Sequence, residues 1–242
     1  DIQGQRIAAS GSLLWYPFTI SAQPEMQLSP AVAYSWPYGC YLAVWQDQRD
    51  GHWAIYGQRL SHHGEPLEEP WAIEADGNDN VSPAVAYGVN QATFVVVWRD
   101  EQADKLEGRQ VQPSGDSTVL FSVTSSAGGE HPRIAYDQVG DGFVVVWDNG
   151  DDVLARALDG LGFPIGGPTT TVAGGAGHQT FPDLAFGLAD QLFLVAWHED
   201  LSSVDRVYGQ LVDESAFLVG FNFPIAGGDG IARNYVSVAY KD

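Results

Sequence analysis

Five times in these 242 residues a short apolar strand ends in an aromatic side chain, at intervals close to fifty residues. The copies are Pro30-Ala-Val-Ala-Tyr34, Pro83-Ala-Val-Ala-Tyr87, Pro132-Arg-Ile-Ala-Tyr136, Pro182-Asp-Leu-Ala-Phe186 and Val236-Ser-Val-Ala-Tyr240. A second motif runs in step with the first: Tyr41-Leu-Ala-Val-Trp45, Phe94-Val-Val-Val-Trp98, Phe143-Val-Val-Val-Trp147 and Phe193-Leu-Val-Ala-Trp197. A period of this length means that one supersecondary unit is copied and stacked, because a single copy cannot bury its own apolar face.

Each unit reads as four strands. Strand A is the Pro-x-Val-Ala-Tyr segment. Strand B is the Val-Val-Val-Trp segment, whose unbroken hydrophobicity requires cover on both faces. Strand C alternates apolar and polar residues with period two, as in Ile55-Tyr-Gly-Gln-Arg59, and its recurring Gly4, Gly57, Gly108 and Gly209 mark a close backbone approach or a bulge. Strand D is short and outermost, as in Trp71-Ala-Ile73, and follows turn signals such as His63-Gly64, Ser114-Gly115 and Gly160. Four-stranded units repeated radially make a β-propeller, and no segment carries a capped helical pattern that would suggest a helical solenoid or an α/β barrel.

The expected fold is therefore all-β, a five-bladed propeller with blades at approximately 30-80, 81-130, 131-180 and 181-233. The fifth blade combines 234-242 with 1-28. The copies include five A, C and D strands but only four B strands, so the fifth blade, split between the N- and C-termini, is expected to be short of one strand. The ending Tyr240-Lys-Asp242 also resembles Trp98-Arg-Asp100, which leaves open a B-strand reading of 235-242. A fragment of a larger surface protein is a further reading of the same irregularity.

Charge narrows the partners. With 31 Asp and Glu against 11 Lys and Arg, the formal net charge is −20, a surface that repels phosphate backbones and anionic lipid. Nucleic acid is excluded as a partner. No apolar run approaches the roughly 18 residues that span a bilayer. Cys40 is the single cysteine and precedes an apolar strand, so it reads as a small buried hydrophobe with no disulfide partner.

The phrase Val44-Trp-Gln-Asp-Gln-Arg-Asp-Gly-His-Trp-Ala-Ile-Tyr-Gly-Gln-Arg-Leu60 resembles repeats of secreted and surface β-propeller proteins of bacteria, which run Val-Val-Trp-x-Asp…Ile-Tyr-Gly-Gln-Arg. The resemblance spans the chain but is sharp only in the blade holding residues 30-80. Blades three and four depart from it, with Asp148-Asn-Gly-Asp-Asp152 as a shortened B–C loop and Ala155-Arg-Ala157 in place of Gly-Gln-Arg. It implies a propeller fold and an extracellular or cell-surface address rather than an activity. By architecture alone the chain is also similar to five-bladed lectins of the tachylectin-2 type.

Candidate chemistry falls on the face that carries the B–C loops and D–A connections. An acidic residue follows each blade Trp within two positions: Asp47, Asp100, Asp148 and Glu199. One reading is a carboxylate ring suited to Ca²⁺ or sugar hydroxyls. The other, favoured because the residue recurs in every blade, is a carboxylate that accepts backbone N–H bonds in its own turn. An exposed Trp beside acidic and amide groups can stack a pyranose ring, so Trp53 with Asp47, Arg49 and Asp50 is the expected ligand site. His131 and His178, taken as equivalent D–A positions, join that set. Asp148, Asp151 and Asp152 are the oxygen-rich candidates for Ca²⁺, although the twelve-residue Ca²⁺ loop with its closing Glu is not matched. No catalytic residue is assigned, since no Gly-x-Ser-x-Gly, phosphate loop or zinc signature occurs. The expected function is a non-catalytic extracytoplasmic module that binds glycan or protein on its loop-bearing face, or packs against other copies or the rest of a larger protein. The alternative is a glycoside hydrolase of the five-bladed propeller kind.

Overall fold

The computed structural model describes residues 1–124, 128–201, 204–227 and 235–240. Among them there is no helix and there are eighteen strands. The chain opens with a two-stranded sheet of β1 (Ile2–Ile7) and β2 (Leu13–Ser21). Four antiparallel four-stranded sheets follow. The first holds β3 (Gln27–Ser35), β4 (Cys40–Asp47), β5 (Ala54–Ser61) and β6 (Trp71–Glu74). The second holds β7 (Asn80–Gly88), β8 (Thr93–Asp100), β9 (Lys105–Val111) and β10 (Ser117–Ser122). The third holds β11 (Glu130–Asp137), β12 (Gly142–Asp148), β13 (Val153–Asp159) and β14 (Thr170–Ala173). The fourth holds β15 (His178–Gly187), β16 (Leu192–Leu201), β17 (Val204–Val212) and β18 (Leu218–Gly227). The A strands β3, β7, β11 and β15 contact one another in succession, so the sheets radiate from a common centre as β-propeller blades do.

Cores form between sheets. Trp98 and Phe94 of β8 pack with Leu42 and Val44 of the first sheet, Trp147 with Val97 and Phe121 of the second, and Trp197 with Val144 and Val146 of the third. Trp45 packs with Ile2, and Phe18 and Ile20 of β2 lie against the same cluster. All four indoles are almost wholly buried, which accounts for strands that are apolar on both faces. In strand C a Cβ on Gly4 or Gly108 would sit 2.5 Å from the ring of Phe18 or Phe121, so an aromatic D strand requires glycine opposite it.

The A strands share one irregularity. Their pairing with the B strands shifts register between Leu28 and Ala31, Val81 and Ala84, Glu130 and Arg133, and Thr180 and Asp183. Each shift is a bulge whose first residue is left-handed: Ser29 (φ 52°), Ser82 (φ 54°), His131 (φ 49°) and Phe181 (φ 53°). The proline that follows has no N–H to leave unpaired there. Tyr235 (φ 63°) holds the same position in the fifth copy. Because β-branched residues resist this conformation, Ser82→Val should lower stability by about 1–2 kcal/mol while Ser82→Gly does not, as read by urea denaturation.

Residues 235–240 form no strand ladder but run along β15. The Val238 N–H donates to Asp183 (2.7 Å), and the Tyr240 hydroxyl accepts from the Ala189 N–H (3.3 Å). Tyr136 accepts from the Asn90 N–H in the same way (3.4 Å). The segment thus takes the A position, which sets aside the B-strand reading; Lys241 and Asp242 lie outside the described residues.

Candidate functional site

The four bulge residues and the left-handed Tyr235 converge. Ser29, Ser82, His131, Phe181 and Tyr235 line one central cavity of about 410 Å³, together with Arg133 and small residues of β3 and β7. A left-handed residue turns its side chain out of the regular pleat, and here each lines the cavity. His131, Phe181 and Tyr235 form a continuous aromatic wall, with centroid separations of 4.1 and 4.7 Å and tilted planes. This wall supplies apolar faces suited to a sugar ring or an aromatic side chain.

His131 is fixed from behind. Its Nδ1–H donates to Asp148 (2.9 Å), a carboxylate 1% exposed that also accepts from the Phe181 N–H (3.1 Å) and the Gly150 N–H (3.2 Å). The bond to Asp148 leaves Nε2 without a partner among the described residues. Arg133 is exposed in the cavity, and its one hydrogen bond among the described residues runs from Nη1 to the Pro132 carbonyl (2.9 Å). No carboxylate lines the cavity among the described residues. The nearest counterpart on the adjacent strand, Asp183, accepts from the Val238 N–H.

The expected cluster around Trp53 is a structural bracket instead. Asp47 is inaccessible: it accepts the Trp45 indole N–H (2.9 Å), the Arg49 backbone N–H (3.0 Å) and the Arg49 guanidinium (2.5 Å). Burial pushes its carboxyl up, but the Arg49 and Trp45 bonds outweigh burial and hold it below the usual carboxylate range. Arg49 also stacks on the Tyr56 ring at 3.9 Å, and the Tyr56 hydroxyl donates to Asp50 (2.7 Å). Burial and that bond push the phenol up to about 12. Trp53 is half-buried, and its backbone N–H donates to Asp79 (2.8 Å). The structure therefore brings Asp47, Arg49 and Asp50 together but uses them to lock the β4–β5 turn.

Two further expectations are corrected. His131 and His178 are not equivalent: the position matching His131 is Phe181, and His178 lies on the rim beside Asp151 (3.1 Å), outside the cavity. Asp148, Asp151 and Asp152 do not converge, because Asp148 is buried behind His131 while Asp151 points to solvent. No group of three His, Cys, Asp or Glu side chains able to hold a metal occurs among the described residues. Asp47, Asp100 and Asp148 each accept a backbone N–H of their own turn, from Arg49, Ala103 and Gly150. Ser29, Ser82, Phe181, Tyr235 and Arg133 went unnoticed in the sequence. The signal for Ser29, Ser82 and Phe181 is the variable column just before the repeated proline; Tyr235 aligns with that column before Val236, and Arg133 follows its proline.

No helix is long and apolar enough to cross a membrane. No protein-family model and no curated protein matches the chain. In structure it is similar to an exo-β-1,3-galactanase of Phanerochaete chrysosporium, at TM-score 0.55 and 11% identity over 93% of this chain and 54% of that one. It is also similar to the catalytic domain of a Coprinopsis cinerea GH62 α-L-arabinofuranosidase, at TM-score 0.57 and 10% identity over 89% of this chain and 74% of that one. A glycosyl hydrolase from Bacteroides ovatus matches at TM-score 0.56 and 10% identity, over 81% and 70% of the two chains. The chain spans about half the length of the galactanase. At such identities the likeness shows the fold: an all-β architecture shared with glycoside hydrolases.

Proposed function

We propose that the chain is a non-catalytic extracellular or cell-surface binding module, a five-unit propeller whose central mouth takes a glycan. The observation that carries this reading is the composition of the mouth: an aromatic wall of His131, Phe181 and Tyr235, one exposed guanidinium, and no lining carboxylate among the described residues. Glycoside hydrolysis generally needs two carboxyl groups about 5–10 Å apart across the scissile bond, and that lining supplies neither. The five left-handed positions around one cavity support the five-unit count, and the likeness to bacterial surface repeats supports the address. A protein segment inserting an aromatic side chain is the alternative ligand within the same reading.

The hydrolase reading is favoured by one observation, the structural likeness to glycoside hydrolases. A glycan array with neutral and uronic-acid glycans, run with and without Ca²⁺, tests both. Binding is expected without release of reducing sugar, and Tyr235→Ala or Arg133→Ala should weaken it at least fivefold, in line with about 1 kcal/mol or more for a lost stacking or charged contact. Release of reducing sugar would establish the hydrolase instead. Silence across the array with unchanged folding would leave the protein-binding alternative.

A further inference from the structure

The fifth unit has an A segment, residues 235–240, and a C–D pair, β1–β2, with no strand between them among the described residues. In each of the four complete sheets a B strand sits at that place, paired on one edge with A and on the other with C. Both walls of the empty place expose apolar side chains. Toward the first sheet, a groove of about 520 Å³ runs along β1 and is lined by Ala31, Val32, Tyr41 and Ala43. Val32 is 61% exposed there, whereas Val85, its counterpart in the second sheet, is 9% exposed.

β1, whose Ile7 lines the same groove, and the fourth sheet show the same deficit. Ile7 is 63% exposed, yet its counterparts Leu60, Val111, Leu158 and Val212 are at most 3% exposed. Phe223 and Ile225 on the facing side of the fourth sheet are 39% and 49% exposed, against 7% and 0% for Phe121 and Val123. Cores with a B-strand Trp lie between consecutive four-stranded sheets and between β1–β2 and the first sheet, and among the described residues none lies between β1–β2 and the fourth sheet. A strand alternating apolar and polar residues would satisfy one wall only. The four B strands, apolar on both faces, show what satisfies two.

We propose that this gap binds an extended strand of a partner polypeptide that carries the B pattern, an aromatic followed by three aliphatic residues and Trp. Such a strand hydrogen-bonds to β1 on one edge and to 235–240 on the other, completing a fifth four-stranded sheet by β-augmentation. A second copy does not supply it, because its own four B strands are the centres of its own sheets. Nor does the sequence 228–234 carry the pattern.

The test adds a lysine-flanked peptide of the β8 sequence, Thr93 to Asp100, to the whole chain. One-to-one binding is expected, with a melting temperature raised by roughly 5 °C or more at saturation and amide-exchange protection along β1. A proline at the centre of the peptide should abolish the shift, and Ile7→Asp should weaken binding at least tenfold without altering the melting of the free chain. Apolar peptides self-associate, so a second arm appends the same strand after residue 242 through a turn copied from 137–142, with the same shift and protection expected. Silence in both arms overturns the proposal. So does a concentration-dependent dimer that Ile7→Asp dissociates, because the occupant is then a second copy.

Discussion

Replacing Trp98 with alanine is expected to destabilise the protein by about 4–5 kcal/mol, the high end for truncating a buried aromatic. Trp98 is fully buried in the core between the first two sheets, and its indole N–H donates to Asn80 at 2.8 Å. Truncation empties a site walled by strands of two sheets, which cannot collapse without breaking their ladders, and strips Asn80 Oδ1 of its donor. For a chain of this length the melting temperature should fall by roughly 8–20 °C. Trp98→Phe keeps most of the ring and should cost about 1–2 kcal/mol. Trp36→Ala, at a residue 67% exposed, should change little. Melting curves of the three variants check the ranking. Equal losses at Trp98 and Trp36 would contradict the inter-sheet role.

Asp47→Asn is expected to cost about 2–3 kcal/mol, and the loss should depend on pH. Removing one partner of a buried pair leaves the other uncompensated, a cost moderated here because the Arg49 side chain retains 19% exposure. The native carboxyl titrates below its ordinary value of 3.8. Its contribution is therefore fully present above that value and is lost as pH falls through the native value. The gap in stability between the parent chain and Asp47→Asn should stay constant at neutral pH and narrow below about pH 4. Urea denaturation at pH 7, 5 and 3 measures it. A gap that widens on acidification would reverse the sign and refute the assignment.

The architecture was legible because period and burial speak directly in residue types. Strands such as Phe143-Val-Val-Val-Trp147 admit only two-sided burial, and Gly108 opposite Phe121 announces contact between strands C and D. The site was not legible, for three physical reasons. A proline normally drives the residue before it toward extended backbone, so nothing marked Ser29, Ser82, His131 and Phe181 as left-handed. Connections between units vary in length, and that misaligned His178 with His131. Carboxylate function depends on solvent access, which a turn sequence does not reveal: Asp47 looked available and is sealed by Arg49 and Trp45. In the C–D turn the left-handed residue is Gly162 rather than Gly160, and Ala216 (φ 60°) takes its place in the fourth sheet.

The left-handed column at the mouth separates frame from content. Ser, Ser, His, Phe and Tyr occupy one backbone state in five places, so that state does not depend on which of these side chains it carries. A cavity lined in this way behaves like a socket with five interchangeable pins. Exchanging residues among positions 29, 82, 131, 181 and 235 changes the lining of the cavity while the strands stay in register, which makes these positions the natural sites for a combinatorial library.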